Sequence, residues 1–237
     1  FSRAQAAELR GMLGDAAARH VTVVASSGDS GPVSDVYRFG VAPVREVSLP
    51  ASDPFVLSVG GTTLTADPRT GSYIGETAWN QARSQGGPSF ASGGGFSGIF
   101  DRPAYQDGVP GTETKRGVPD VAGDAGMGIV LALEAASGSS EQRSAGGTSA
   151  ATPLWAGLVA LADELAGHDL GSVNTALYRI ARSPRYGQAF HDVTTGNSTV
   201  VVQGESYSGY QAGPGWDPVT GLGSPNATAP VRLLTSE

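Results

Sequence analysis

Two positions in this chain carry side chains that could do acyl-transfer chemistry. The first is Ser149, in the stretch Ser144-Ala145-Gly146-Gly147-Thr148-Ser149-Ala150-Ala151-Thr152-Pro153. Glycines give way there to an apolar run in which Leu154, Leu158, Leu161 and Leu165 recur at helical spacing. A serine at a helix N-terminus lies beside unpaired amides and the positive end of the helix dipole. Nucleophile and half of an oxyanion-stabilising pocket then come together, which suits acyl transfer. Thr148 or Ser149 is expected to cap the helix, with Pro153 tolerated in its first turn. A cap without chemistry is the plainer reading of a single such helix, but Gly-Thr-Ser-Ala-x-x-Pro is longer than a cap requires.

The second position is Asp29. The β-branched run Val21-Thr22-Val23-Val24-Ala25 has the composition of a buried parallel strand and feeds into Ser26-Ser27-Gly28-Asp29-Ser30-Gly31. Functional loops of open α/β sheets lie at the carboxyl ends of strands, which makes a glycine-flanked Asp29 a candidate site residue. An Asx-turn is the alternative.

The elements that must position these residues are legible around them. Residues 2–19 carry helical periodicity, with Leu9, Met12, Leu13 and Ala16 on one face. Phe55 to Val59 and Gly128 to Leu133 read as strands, Val173 to Arg182 as a helix, and Val200 to Val202 as a strand. Residues 66–95 read as loop-rich, and 138–147 as a polar loop delivering Ser149. Ser92-Gly93-Gly94-Gly95 suits either a packed backbone crossing or a peptide-binding edge, since glycines let chains approach closely.

The chain has 237 residues, enough for one α/β domain with a buried core, and residues 1–237 read as a single domain. A net charge of −7 argues against nucleic acid as a partner. No apolar run reaches the roughly 18 residues that a membrane span needs. Cysteine is absent, so neither disulfides nor thiols hold the fold. An acidic, disulfide-free chain is compatible with bacterial secretion, and a secreted location is the expectation.

Taken in order, several segments resemble the sedolisin family, the serine-carboxyl peptidases of the subtilisin-like clan. They are Ser27-Gly28-Asp29-Ser30-Gly31, Ser52 to Val56, Ser58 to Thr62, and Glu76-Thr77-Ala78-Trp79-Asn80. Ser92 to Ser97, Arg116 to Val121, Gly147-Thr148-Ser149-Ala150 and Gly213 to Gly223 continue the series. The resemblance implies a subtilisin-like parallel β-sheet flanked by helices. It implies that Ser149 is the nucleophile of an acyl-enzyme and Asp29 the oxyanion donor, with Ser92, Gly93, Gly94 and Gly95 against substrate. A carboxyl can donate to an oxyanion only when protonated, and a free Asp titrates near roughly 3.9, so the implied peptidase acts in acid. His20, His168 and His191 lie in no subtilisin-like histidine motif.

The family's general base is a glutamate with an aspartate four residues on, and no glutamate here has that partner. The pair is therefore expected before Phe1, on a companion chain or pro-segment of the same precursor that would also supply N-terminal strands. A structural Ca²⁺ is implied in the segment of about 190–223. Asp192 and Asp217 would give carboxylates, Val193, Gly213 and Gly215 carbonyls, and one water a sixth ligand. The expected activity is an acid serine-carboxyl endopeptidase acting on polypeptides. The rival is a catalytically silent module of the same fold kept for binding or assembly.

Overall fold

The computed structural model describes residues 3–35, 40–81, 89–126, 129–134, 138–226 and 229–236. Helix α1 (Arg3–Ala18) leads into β1 (Val23–Ser26), the strand expected from the β-branched run. The central strand is β2 (Val56–Ala66). Its first residues pair in parallel with β1, Val23 opposite Val56 and Ser26 opposite Val59. From Val59 to Thr62 it pairs in parallel with β8 (Val121–Asp124), and beyond Thr62 it runs antiparallel to β3 (Tyr73–Ala78).

Val56 to Thr62 is buried throughout, as for a strand covered on both faces, whereas Thr63 to Thr65 is exposed where β2 outruns its parallel neighbours. Gly60 and Gly61 belong to this covered stretch. A Cβ on Gly61 would lie 2.7 Å from the Ala125 Cβ, and one on Gly60 2.7 Å from Pro119.

Segment 66–95 holds more structure than its composition suggested: β3, then β4 (Asn80–Gln81) pairs with β5 (Phe90–Ala91). Gly86-Gly87-Pro88 lies outside the described residues. Next, β6 (Gly95–Asp101) pairs with β7 (Lys115–Val118), and β9 (Ile129–Glu134) with β10 (Ser140–Ala145). The polar loop expected over 138–147 is thus largely β10. Its Ser-Glu-Gln-Arg-Ser composition hid it, because both its faces are largely exposed and, among the described residues, β9 alone supplies its ladder.

Helix α2 (Thr148–Ala166) crosses β1, β2 and β8. The face it buries is Thr148, Ala151, Trp155, Val159 and Ala162, with Leu158 packed partly against the same core. Trp155 is fully buried and its indole N–H donates to the Ala122 carbonyl at 2.7 Å. Leu154, Leu161 and Leu165 are 47%, 52% and 58% exposed, so α2 has a second, uncovered apolar face.

Helices α3 (Asn174–Ala181), α4 (Tyr186–Ala189) and α5 (Ala229–Leu234) complete the core around Leu177, Ile180, Phe190, Val231 and Leu234. Short strands β11 (Phe190–His191) and β14 (Ser224–Pro225) pair with each other, as do β12 (Val200–Val202) and β13 (Glu205–Tyr207).

A charged cluster is sealed inside this frame. Arg116 and Asp120, both 0% exposed, form a two-pronged pair with N–O distances of 2.8 and 2.5 Å. Asp120 also accepts the Ser58 amide at 2.8 Å and the Tyr178 hydroxyl at 3.0 Å, so its lone pairs are filled. Burial and then Asp120 push the Tyr178 hydroxyl far up, which keeps it a donor. Gln106 ties Tyr178 to both polar groups of Gly117. The cluster clamps β2, β7 and α3 behind the sheet. Removing one partner of such a pair leaves an uncompensated buried charge. Arg116→Met is therefore expected to lower unfolding free energy by about 3–5 kcal/mol. Adding Asp120→Leu should recover part of that loss, as read by urea denaturation.

Candidate active site

Asp29 follows the carboxyl end of β1. The Ser27 amide still bonds the Val59 carbonyl, and the chain then turns away through Gly28 at φ 112°. A second segment holds the turn by its backbone: Gly93 N–H donates to the Gly28 carbonyl at 2.8 Å, and Ala91 N–H to the Asp29 carbonyl at 3.0 Å. Gly31 N–H returns a bond to the Ala91 carbonyl at 3.1 Å. The Asp35 carboxylate closes the loop from the other side, accepting the Asp29 N–H at 3.2 Å and the Ser30 hydroxyl.

The Asp29 side chain, half-buried, points to the start of α2. Its Oδ1 accepts the Thr148 N–H and the Thr148 hydroxyl, each at 2.8 Å. Its Oδ2 faces Gly147, where a Cβ would come within 2.8 Å of it. Gly147 has φ 83° and ψ 168°, a conformation open essentially to glycine alone. Its N–H is anchored on the Ala125 carbonyl at 2.8 Å.

Gly147 is the N-cap, without a side-chain cap bond, so the expected Thr148 or Ser149 cap gives way to a glycine. Thr148 is the first helical residue and Ser149 the second. Ser149 is exposed, and its N–H is one of the amides that a helix leaves without an intrahelical acceptor. Pro153 falls in the second turn rather than the first. It therefore removes the bond that the Ser149 carbonyl would otherwise accept.

The structure thus brings Asp29 onto the first turn of the helix that carries Ser149. Their neighbours were less legible. Thr148 was expected only as a cap, whereas its hydroxyl holds Asp29. Asp35, outside every motif, gave no signal beyond following a glycine-rich turn.

Ser92, Gly93, Gly94 and Gly95 are all buried. The Ser92 hydroxyl accepts the Gly61 N–H and donates to the Val219 carbonyl. A Cβ on Gly93 would lie 2.4 Å from the Ser27 carbonyl oxygen, and one on Gly94 2.0 Å from that of Pro218. Gly93 and Gly94 thus make a close backbone crossing against residues 27–28 and Pro218. His20 and His168 are exposed, and His191 stacks on Tyr73 with ring centroids 3.9 Å apart.

The expected metal residues lie together in the C-terminal section. Gly215 N–H bonds the Asp192 carboxylate at 3.0 Å, and Gly213 N–H bonds Asp217 Oδ2 at 3.1 Å. Asp217 also accepts the Val219 and Thr220 amides and the Thr220 hydroxyl. Burial nevertheless pushes its carboxyl above the usual range, against those four hydrogen bonds from three residues. Burial, followed by the charge of Asp192, pushes the nearby Tyr186 hydroxyl up too, with Asp217 adding to the effect. Two carboxylates around one phenol, one of them deeply buried, fit a hard cation. Among the described residues no group of three or more His, Cys, Asp or Glu side chains forms, so backbone carbonyls would have to complete any such site.

The model described as the subtilase family matches residues 2–183. Kumamolisin of Bacillus sp. (strain MN-32) is 40% identical over 229 residues, covering 93% of this chain and 37% of its own length. Sedolisin of Pseudomonas sp. (strain 101) is 38% identical over 211 residues, 88% of this chain and 34% of the relative. Human tripeptidyl-peptidase 1 is 32% identical over 244 residues, 92% of this chain and 38% of the relative. A solved structure, Pseudomonas sedolisin (serine-carboxyl proteinase) complexed with two molecules of pseudo-iodotyrostatin, superposes with a TM-score of 0.78 at 33% identity. It covers 96% of this chain and 58% of that one. The chain thus spans little more than a third of the length of these curated relatives.

The backbone at Gly147 makes a stability prediction. Gly147→Ala is expected to cost about 1–3 kcal/mol by thermal or urea unfolding. Gly157→Ala, on the open side of the same helix with nothing within 4 Å, should stabilise by about 0.5–1 kcal/mol.

Proposed function

This chain belongs to the subtilase family, in its sedolisin branch, and from that premise we propose that it forms the nucleophile-bearing part of an acid-acting serine-carboxyl endopeptidase. The observation that carries this reading is the binding of Asp29 Oδ1 by Thr148, with Oδ2 left beside Gly147 at the entrance to α2. A neutral carboxyl has one accepting and one donating oxygen. With Oδ1 already an acceptor, the proton belongs on Oδ2.

In the proposed reaction the Ser149 Oγ attacks the carbonyl carbon of a polypeptide. Its proton passes to the glutamate of a Glu/Asp pair on an upstream segment. The oxyanion is held by the Ser149 N–H and the Asp29 Oδ2–H, both in place before the charge develops. The C–N bond then breaks, the leaving amine takes the proton back, and water hydrolyses the Ser149 ester to regenerate the hydroxyl. An ionised Asp29 would repel the oxyanion, which restricts the reaction to acid.

Two surfaces support a companion segment from the same precursor. Among the described residues β1 pairs with β2 alone, so its other edge can accept a strand. The uncovered Leu154, Leu161 and Leu165 face of α2 suits a packed helix. We place the working enzyme outside the cell, in keeping with an acidic chain that contains no cysteine.

Asp192 and Asp217, with the carbonyls of Val193, Gly213 and Gly215, would hold one structural Ca²⁺. The ion would neutralise the two carboxylates and tie the 190–223 segment to β8. That segment already bonds the strand through Ala122 N–H to the Gly223 carbonyl.

Two experiments test the reading. The complete enzyme should cleave peptides in acid and lose that activity in Ser149→Ala, by about three orders of magnitude or more. Asp29→Asn keeps an oxygen for Thr148 and a donor where Oδ2 stood. Its activity should therefore extend toward neutral pH, and an unchanged alkaline limb would remove Asp29 from the mechanism.

The second experiment concerns calcium. The raised carboxyl of Asp217 means that, without an ion, the protonated form favours the fold and this contribution fades as pH rises through the raised value. Calcium must displace that proton. Chelation should therefore lower the melting temperature more at roughly pH 6 than at roughly pH 3.

A further inference from the structure

Asn80 ends the segment Glu76-Thr77-Ala78-Trp79-Asn80 and has no part in the reaction described above. The structure nevertheless ties it to two supports of the Asp29 loop. By its backbone it pairs with Ala91 across β4 and β5. Ala91 N–H donates to the Asp29 carbonyl at 3.0 Å, and the Ala91 carbonyl accepts the Gly31 N–H at 3.1 Å. The half-buried side chain of Asn80 turns to a different segment. Its Nδ2 donates to the carbonyls of Asn197 and Thr199, at 2.9 and 3.0 Å. An amide nitrogen carries two hydrogens, so one side chain serves both carbonyls. Asn197 Oδ1 accepts the Thr199 N–H at 2.9 Å, which closes a tight turn between them.

That turn presents the Ser198 carbonyl to the loop that carries Asp29. A Cβ on Gly31 would come within 2.1 Å of the Ser198 oxygen, a separation that only glycine permits. Ser198 is fully buried, and its N–H is fixed on the Tyr210 carbonyl at 2.9 Å. From the turn the chain enters β12, whose Val200 and Val202 pack with Val33 and Ala91 in a small buried apolar cluster. The β12–β13 hairpin thus backs the Asp29 loop, and Asn80 fixes the turn that begins it.

We propose that Asn80 is a positioning residue for Asp29. By holding the carbonyls of Asn197 and Thr199 it seats their turn against Gly31, and so sets where the Asp29 carboxyl stands over the start of α2. The inference rests on the peptidase reading above and adds a residue to it. Asn80 acts through the backbone rather than on the reacting atoms. In that reading Asp29 meets a charge that exists only in the transition state. A loosened loop should therefore lower kcat and leave substrate binding as it is.

The test uses the complete enzyme. Asn80→Ala should lower kcat about tenfold, less than the roughly 10²–10³ for losing an oxyanion donor outright, because Gly93 and Asp35 still hold the loop. KM should stay within about twofold of wild type. In an Asp29→Ala background the same substitution should change kcat by less than about twofold, since the group it positions is gone. Asn80→Asp keeps one donor in acid where the amide has two, so its kcat should fall between wild type and Asn80→Ala. If Asn80→Ala does not fold, Asn80→Asp carries the same comparisons. Leu177→Ala, which empties part of the buried core, serves as the stability control: a lower melting temperature with kcat unchanged.

An equal loss with and without Asp29, or a loss confined to KM, would overturn the inference while leaving the peptidase reading standing. Hydrogen exchange separates the two readings further. The Thr148 N–H, which donates to Asp29 Oδ1, should exchange several-fold faster in Asn80→Ala, while the Ser58 N–H on Asp120 keeps its rate. Unchanged exchange at Thr148 would overturn the inference whether or not peptides are cleaved.

Discussion

The contact on which this structure turns is the double hydrogen bond from Thr148 to Asp29 Oδ1. Both bonds measure 2.8 Å and join residues 119 positions apart. One partner sits on a loop that leaves the sheet, and the other opens the helix that crosses it. Everything nearby serves to hold that pair. Ala91 and Gly93 grip the backbone of residues 28–29, Asp35 fixes the Asp29 amide, and Ala125 anchors Gly147. In the proposed reaction the carboxyl would therefore need little rearrangement to meet a charge developing beside Ser149, which is how preorganised donors lower a barrier.

Behind the pair, glycines set the distances. Gly93 and Gly94 bring one backbone against Ser27 and another against Pro218, at separations that no Cβ would permit. The buried Arg116–Asp120 pair works at a larger scale. It fastens β7 to β2, through the Ser58 amide, and to α3, through Tyr178. A buried ion pair contributes little net stability compared with apolar packing, but its hydrogen bonds to Ser58 and Tyr178 are made in a single geometry. That suits a site whose parts come from five separate segments.

Much of this was written plainly in the sequence. The β-branched run ending in Ser-Gly-Asp-Ser-Gly placed Asp29 at a strand end, and Gly-Thr-Ser-Ala placed Ser149 at a helix start. Both placements follow from local chemistry, which a single segment can express. What stayed hidden depended on tertiary context. Leu154, Leu161 and Leu165 of α2 have helical spacing but lie on its exposed side, because Ala151, Trp155, Val159 and Ala162 form the buried face. A helix apolar on both faces cannot reveal its inner side by periodicity alone. Strand β10 looked like a loop because, among the described residues, it pairs with β9 alone. Asp35 carries no motif and matters because it accepts the Asp29 amide and the Ser30 hydroxyl.

The long sequence separation across the Thr148–Asp29 contact has a biological corollary. Neither an emerging polypeptide nor a partly melted one can place that carboxyl beside that hydroxyl, since β1, β5 and α2 must all be docked first. In the proposed peptidase, catalytic competence would thereby be tied to completion of the fold, and a molecule that loses its shape would disarm itself in the same step.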